Sequence, residues 1–82
     1  MWFVYIVKCS DESFYTGIAT DINQRVHEHN SSKKGAKYTK SRRPVELVFQ
    51  EKAKDRSIAS KREYMIKKLS RLQKIELIES NT

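Results

Sequence analysis

The chain opens with short aromatic and β-branched runs and closes with stretches in which apolar residues recur at helical spacing. "WFVYIVKC" (Trp2 to Cys9) suits a pleated strand. "SDES" (Ser10 to Ser13) is rich in turn formers, and "FYTGIA" (Phe14 to Ala19) reads as a second strand. So short a link cannot hold a parallel crossover, so the two strands are expected to form an antiparallel hairpin. A helix follows, with Thr20 or Asp21 as its cap, Asp21 and Gln24 at capping-box spacing, and Ile22 and Val26 as its apolar seam to about Asn30. "SSKKGAKYTKSRRP" (Ser31 to Pro44) carries six lysines and arginines and no acid, and reads as a long basic loop with room for one helical turn. "VELVFQ" (Val45 to Gln50) alternates and predicts a third strand. From Asp55 to about Leu69 the pattern is helical, with Ile58, Ala59, Met65, Ile66 and Leu69 on one side. Ser70 and Gln73 then form a second capping-box pair, opening a last helix with Leu72, Ile75 and Ile78.

The order β-β-α-β-α-α predicts an α+β fold, a small, mostly antiparallel three-stranded sheet flanked by helices. With 82 residues, residues 1–82 are one domain, and a chain this short buries only about 60% of its unfolded surface. Whether the third strand joins the first or the second is not readable from the pattern. Seventeen Lys and Arg against ten Asp and Glu give a formal charge of +7, which on so small a surface attracts polyanions, nucleic acid first and an anionic membrane surface second. The single cysteine, Cys9, allows no internal disulfide and no cysteine-paired zinc site. The apolar runs are too short for a membrane span or a signal peptide, so the expected location is the cytoplasm.

The polar residues of the hairpin and helices suggest chemistry. If the hairpin pairs Lys8 with Phe14, then Tyr5, Val7, Tyr15 and Gly17 share one face, with Tyr5 opposite the side-chain-free Gly17. A one-residue slip separates the two tyrosines. On the first helix, Arg25 and His29 share a side with Ile22 and Val26 and are carried to the edge of the buried face. The competing reading is an arginine snorkelling over the core edge and a surface histidine. His27 and Glu28 fall on the outer face. Glu63 sits at the margin of the long helix's apolar stripe, where an ion pair with Lys67 is the simpler account. Arg62 falls near mid-stripe, so either the stripe wraps around it or it reaches out to a carboxylate or an anion. Together, two tyrosines, an arginine, a histidine and a glutamate supply the groups phosphodiester cleavage needs: a base for water, a cation for the developing charge, and a carboxylate for a metal.

With Phe3-Val4-Tyr5 and Tyr15-Thr16-Gly17 on the first two strands and an arginine ten residues after the second tyrosine, the sequence resembles the GIY-YIG nuclease superfamily. "VYI" with "YTG", the basic "KYTKSRRPVELV" segment and "KREYMIKKLSR" make it most similar to the small, stand-alone YhbQ-like branch. Phe3 and Thr16 depart from the named tripeptides, and neither change removes a proposed chemical group.

The resemblance implies hydrolysis of nucleic-acid phosphodiesters with a divalent metal, Mg²⁺ or alternatively Mn²⁺. By position it assigns Tyr5 as general base or water-orienting hydroxyl, Tyr15 as its support or a phosphate contact, Arg25 as the stabiliser of the pentacovalent phosphate, Glu63 as metal ligand, and His29 as an assisting polar group. The partner expected is DNA, selected by structure rather than sequence. Lys37, Lys40, Arg42 and Arg43 of the basic loop are candidates for its phosphates, and Tyr38 for stacking on a base. The alternative is a nucleic-acid-binding module of the same fold with weak or absent cleavage.

Overall fold

The first two apolar runs pair as an antiparallel hairpin, with Lys8 opposite Phe14 and Tyr5 opposite Gly17. Of the two registers open to the sequence, this is the one that places both tyrosines on one face. The computed structural model describes residues 1–31 and 34–81. In chain order the elements are β1 (Trp2–Lys8), β2 (Phe14–Ala19), α1 (Ile22–Ser31), α2 (Lys37–Lys40), β3 (Glu46–Ala53), α3 (Arg56–Lys67) and α4 (Arg71–Ser80). Strand order is β2-β1-β3, every pair antiparallel.

The central place of β1 explains its sequence. Val4 to Val7 are all buried, covered on both faces, so the run is apolar throughout instead of alternating. Between β1 and β3 the register shifts at Ile6/Val7, so that Ile6 faces Phe49 and Val7 faces Leu47. Val48 is the extra residue of a β-bulge, and both Val48 and Phe49 pack with the cluster on the α3 side. The hairpin loop is closed by the Cys9 amide donating to the Ser13 carbonyl at 2.8 Å. Asp11 accepts from the backbone and hydroxyl of Ser13, and Glu12 takes a left-handed φ of 73°.

Each face of the sheet carries its own core. Val4, Ile6, Phe49 and Ala53 pack with Ala59 and Ile66 of α3. Tyr5, Val7, Cys9, Ala19 and Val45 pack with Ile22 of α1. The expected stripe of α3 is narrower than its sequence suggests. Ala59 and Ile66 are fully buried, but Ile58 and Met65 are 46% and 58% exposed, and Leu72 at the start of α4 is 66% exposed. A three-stranded sheet is too small to cover a wide helical face.

Of the two capping boxes the spacing suggests, the one at Ser70 is complete and the one at Asp21 is half made, and Asp55 adds a cap the pattern did not single out. Asp21 accepts from the Gln24 amide, Asp55 from that of Ile58, and Ser70 with Gln73 completes a reciprocal capping box. The third strand is moored by Asn30, whose side-chain amide donates to the Val45 carbonyl and accepts from the Val45 amide. No helix among the described residues is long and apolar enough to cross a membrane.

Candidate active site

Tyr5 and His29 meet at the middle of the α1 face. The Tyr5 hydroxyl lies 2.8 Å from Nε2 of His29, and both residues are buried. Sequence spacing carries His29 to the edge of the buried side, with a surface histidine as the competing reading. The structure instead buries it completely, because Tyr5 closes one side of the ring and Thr39 of α2 the other. Gly17 makes room for this arrangement. A Cβ there would stand 2.5 Å from the Tyr5 hydroxyl oxygen, so the space that glycine leaves is taken by the hydroxyl itself.

Tyr15 lies edge-on to His29, with ring centroids 5.3 Å apart. Its other neighbour is Tyr38, stacked at 5.9 Å, and the Arg42 guanidinium lies 4.0 Å from the Tyr38 ring centre. The basic loop is therefore built onto the site. Gly35 permits this, since a Cβ there would come within 2.7 Å of the Glu28 carbonyl oxygen. Past this crossing, α2 brings Thr39 to His29.

Arg25 sits half-buried on the same side of α1. Its Nη1 donates to Glu28 at 3.0 Å and to the Lys34 carbonyl at 2.8 Å, and its charge acts on the Tyr5 hydroxyl. Glu28 is thus not the outer-face residue that helical spacing predicts. The i,i+3 pair draws its side chain inward to 18% exposure, and the hydrogen bond from Arg25 holds its carboxyl below the usual range. The signal was present in the spacing of the two residues. For Thr39 there was no such signal, because its role depends on how the loop returns.

Burial sets the protonation of the pair. It pushes the Tyr5 hydroxyl up to about 12, against the opposing pull of Arg25, while the charges of Tyr15 and Glu63 push the same way as burial. Burial, then the charge of Arg25, brings His29 down to about 4. At neutral pH the pair is a phenol beside a neutral imidazole. Arg25 supplies the nearby cation that base duty by a tyrosine requires, but burial outweighs it.

Glu63 projects from α3 with its side chain 23% exposed and pairs with Lys67 at 3.4 Å, the simpler of the two accounts its spacing allowed. Its charge is still felt at the Tyr5 hydroxyl. Arg62 reaches out to Glu51 of β3, with contacts of 2.9 and 3.4 Å. Among the described residues no three His, Cys, Asp or Glu side chains gather as a metal cage. A single carboxylate such as Glu63 suits only a divalent cation that keeps several waters and takes its remaining ligands from a substrate's phosphates.

The loop cations divide into two kinds. Lys37 and Lys40 are exposed on α2. Arg42 is held by Asp11 at 3.1 Å and by the Tyr38 carbonyl. Arg43 turns inward, donating to the backbone carbonyls of His29 and Glu28 at the end of α1.

Comparisons with known proteins bear on the fold and the family. The UPF0213 protein of Desulfotalea psychrophila is 60% identical over 80 residues, covering 98% of this chain and 73% of that protein. A UPF0213 protein of Staphylococcus epidermidis is 61% identical over 77 residues, covering 94% and 93%. Among solved structures, the solution NMR structure of the UPF0213 protein from Bacillus halodurans matches with a TM-score of 0.60 at 42% identity, over 96% of this chain and 84% of that one. A protein from E. faecalis matches with a TM-score of 0.64 at 42% identity, over 95% and 82%. A family model described as the GIY-YIG catalytic domain matches residues 1–76, and with relatives this similar over nearly its whole length, the chain belongs to the GIY-YIG family.

Proposed function

We propose that this chain is a metal-dependent endonuclease that hydrolyses DNA phosphodiesters and selects its substrate by structure rather than base sequence. Membership in the GIY-YIG family carries nuclease-type activity. The observation that bears most of the weight is the Tyr5 hydroxyl, hydrogen-bonded to His29 and under the charge of Arg25. A water bonded to the Tyr5 oxygen gives that oxygen a proton as the phenolic proton passes to Nε2 of His29. The hydroxide forms its bond to phosphorus, and the P–O bond to the leaving sugar oxygen breaks, that oxygen taking a proton from solvent. Arg25 donates to the non-bridging oxygens as charge builds on them. Tyr15, edge-on to His29, packs the ring in place and offers its own hydroxyl to the phosphate. Glu63 would hold a hydrated Mg²⁺ or Mn²⁺, which when bound supplies Lewis-acid stabilisation of the developing charge. Lys37 and Lys40 provide sequence-independent phosphate contacts, and Arg42 joins them where a phosphate displaces Asp11. Base stacking on Tyr38 requires that Arg42 leave its ring.

A second reading has its own support. Tyr5 is 1% exposed, Arg25 is paired with Glu28 and Glu63 with Lys67, so each reactive group has a partner at rest. That favours a nucleic-acid-binding module with weak or absent cleavage. Incubation of nicked, flapped, branched and plain DNA with Mg²⁺ or Mn²⁺ separates the two. The endonuclease reading expects cutting that falls about 100-fold or more in Arg25→Ala and in Glu63→Ala. Salt-sensitive binding by all three proteins without cutting would leave the binding module.

A further inference from the structure

Beyond the residues that touch substrate, one buried hydroxyl determines which way the site's proton chain runs. We infer that Thr39 is a positioning residue that fixes His29 as the Nδ1–H tautomer, leaving Nε2 free to take the proton of Tyr5. The inference rests on the hydrolytic reading for its consequence in catalysis, and on geometry alone for the tautomer.

The Thr39 hydroxyl oxygen lies 2.8 Å from Nδ1 of His29 and 2.9 Å from the Ala36 carbonyl oxygen. A carbonyl can only accept, so the one hydroxyl proton of Thr39 goes to Ala36, the back-bond typical of threonine in a helical turn. The hydroxyl oxygen then faces Nδ1 with a lone pair, and Nδ1 must carry the hydrogen. Nε2 is left as a lone pair, and the contact at 2.8 Å with Tyr5 must have the tyrosine as donor. The opposite arrangement would turn the Thr39 proton toward Nδ1 and set two oxygen lone pairs against each other at 2.9 Å. The Ala36 amide donates toward Nδ1 and would favour a lone pair there, but at 3.5 Å that bond is weaker than the contacts at 2.8 and 2.9 Å that set the other arrangement. Thr39, His29 and Tyr5 are 0%, 0% and 1% exposed, so water does not compete for these bonds. One directed chain results: Tyr5 O–H to His29 Nε2, His29 Nδ1–H to Thr39 Oγ1, Thr39 O–H to the Ala36 carbonyl. In the other tautomer Nε2 already holds a hydrogen and cannot receive one from Tyr5.

The placement of Thr39 gives this a further consequence. It lies in α2 between exposed Lys37 and Lys40 and next to Tyr38, which stacks on Tyr15. The turn that offers its cations to a phosphate backbone also holds the catalytic ring in its working tautomer.

Imidazole ¹⁵N chemical shifts of His29 read the tautomer directly. The wild-type protein should show a protonated Nδ1 and a pyridine-type Nε2. Thr39→Val, close to isosteric, should shift the ring toward the Nε2–H form and lower kcat on the best DNA substrate by about 10- to 100-fold with KM little changed. Thr39→Ser should restore the wild-type tautomer and most of kcat, which a purely steric role for Thr39 would not. An Nε2–H ring in the wild type overturns the inference, as does Thr39→Val with wild-type shifts and wild-type kcat. If the wild type cuts no DNA, the hydrolytic reading fails by itself, and the ¹⁵N shifts of the three proteins still decide whether Thr39 sets the ring.

Discussion

The two faces of the sheet are built from the same strands and held by different means. On the α3 face, Val4, Ile6, Phe49 and Ala53 meet Ala59 and Ile66 in an apolar cluster. The buried polar side chain on the strands there, Thr16, has a hydroxyl without a hydrogen-bond partner among the described residues. On the α1 face the buried polar groups are joined end to end, from Tyr5 through His29 and Thr39 to the Ala36 carbonyl. The first face is stabilised in proportion to apolar area and tolerates an orphaned hydroxyl at its margin. The second depends on the direction of a few hydrogen bonds, where a single reversed proton changes what the site can do. Both faces carry an apolar cluster, and the α1 face adds to its own a buried polar chain that runs through a histidine.

The largest expected effect breaks the apolar side. Ile66 is fully buried between α3 and the sheet. Ile66→Ala should cost about 2–5 kcal/mol of stability through lost burial and a residual cavity. Denaturant unfolding reads the loss, and His29 ¹⁵N shifts read the other face. The contrast predicts a lower midpoint with an unchanged His29 tautomer. A tautomer change in the folded fraction would mean that the two faces are coupled through β1, and the division into a stabilising face and a chemical face would be wrong.

That division was only partly legible in the sequence. Ser70 and Asp21 announce their helices because capping is local, and the side chain that caps lies within three residues of the amide it serves. The hairpin register was legible as one of two choices, since Tyr5 meets Gly17 only when Lys8 meets Phe14. The seat of β3 beside β1 was not legible, because a strand entering from a long loop carries no turn chemistry that chooses its neighbour. The burial of His29 was missed for a related reason. Helical spacing brings it to the margin of α1, and what covers it comes from Thr39 ten residues later, after a loop whose path Gly35 permits. Ile58 and Met65 failed in the opposite direction. Their spacing is that of a buried stripe, but there is no sheet wide enough to cover them.

The next effect tests the chemical face through pH. His29 has an ordinary value of 6.5 and is brought down to about 4, by burial first and by the charges of Arg25 and Arg43. The groups facing it are Tyr5, Tyr15, Arg25, Glu28 and Arg43. Above pH 6.5 the ring is neutral in both folded and unfolded chains and has no influence on the balance. Below that the unfolded chain takes up a proton that the folded one refuses, so stability falls with pH and has lost about 3 kcal/mol by pH 4. Urea unfolding between pH 7.5 and 4 measures the loss, and an NMR titration assigns it. The His29 resonances should stay flat from pH 8 to 5. A midpoint near 6.5 would mean that the ring is solvated, and the directed chain could not persist.

The smallest effect sharpens the boundary between the faces and the solvent. Glu28 holds Arg25 at 3.0 Å with the two side chains 18% and 28% exposed, so the guanidinium that a phosphate needs is engaged at rest. Glu28→Gln removes that competing charge and keeps a similar side chain. DNA affinity at low salt should rise by about two- to fivefold, a gain that shrinks as salt screens the site. Any such change also adds one positive charge to a basic protein, so Glu46→Gln, on an exposed position of β3, serves as the charge control. If both variants gain equally, Glu28 acts only through net charge and Arg25 is not restrained by it. If Glu28→Gln gains more, the excess measures how strongly the resting site keeps its own arginine from the substrate. That restraint is local to α1, as the pairing of Glu63 with Lys67 is local to α3.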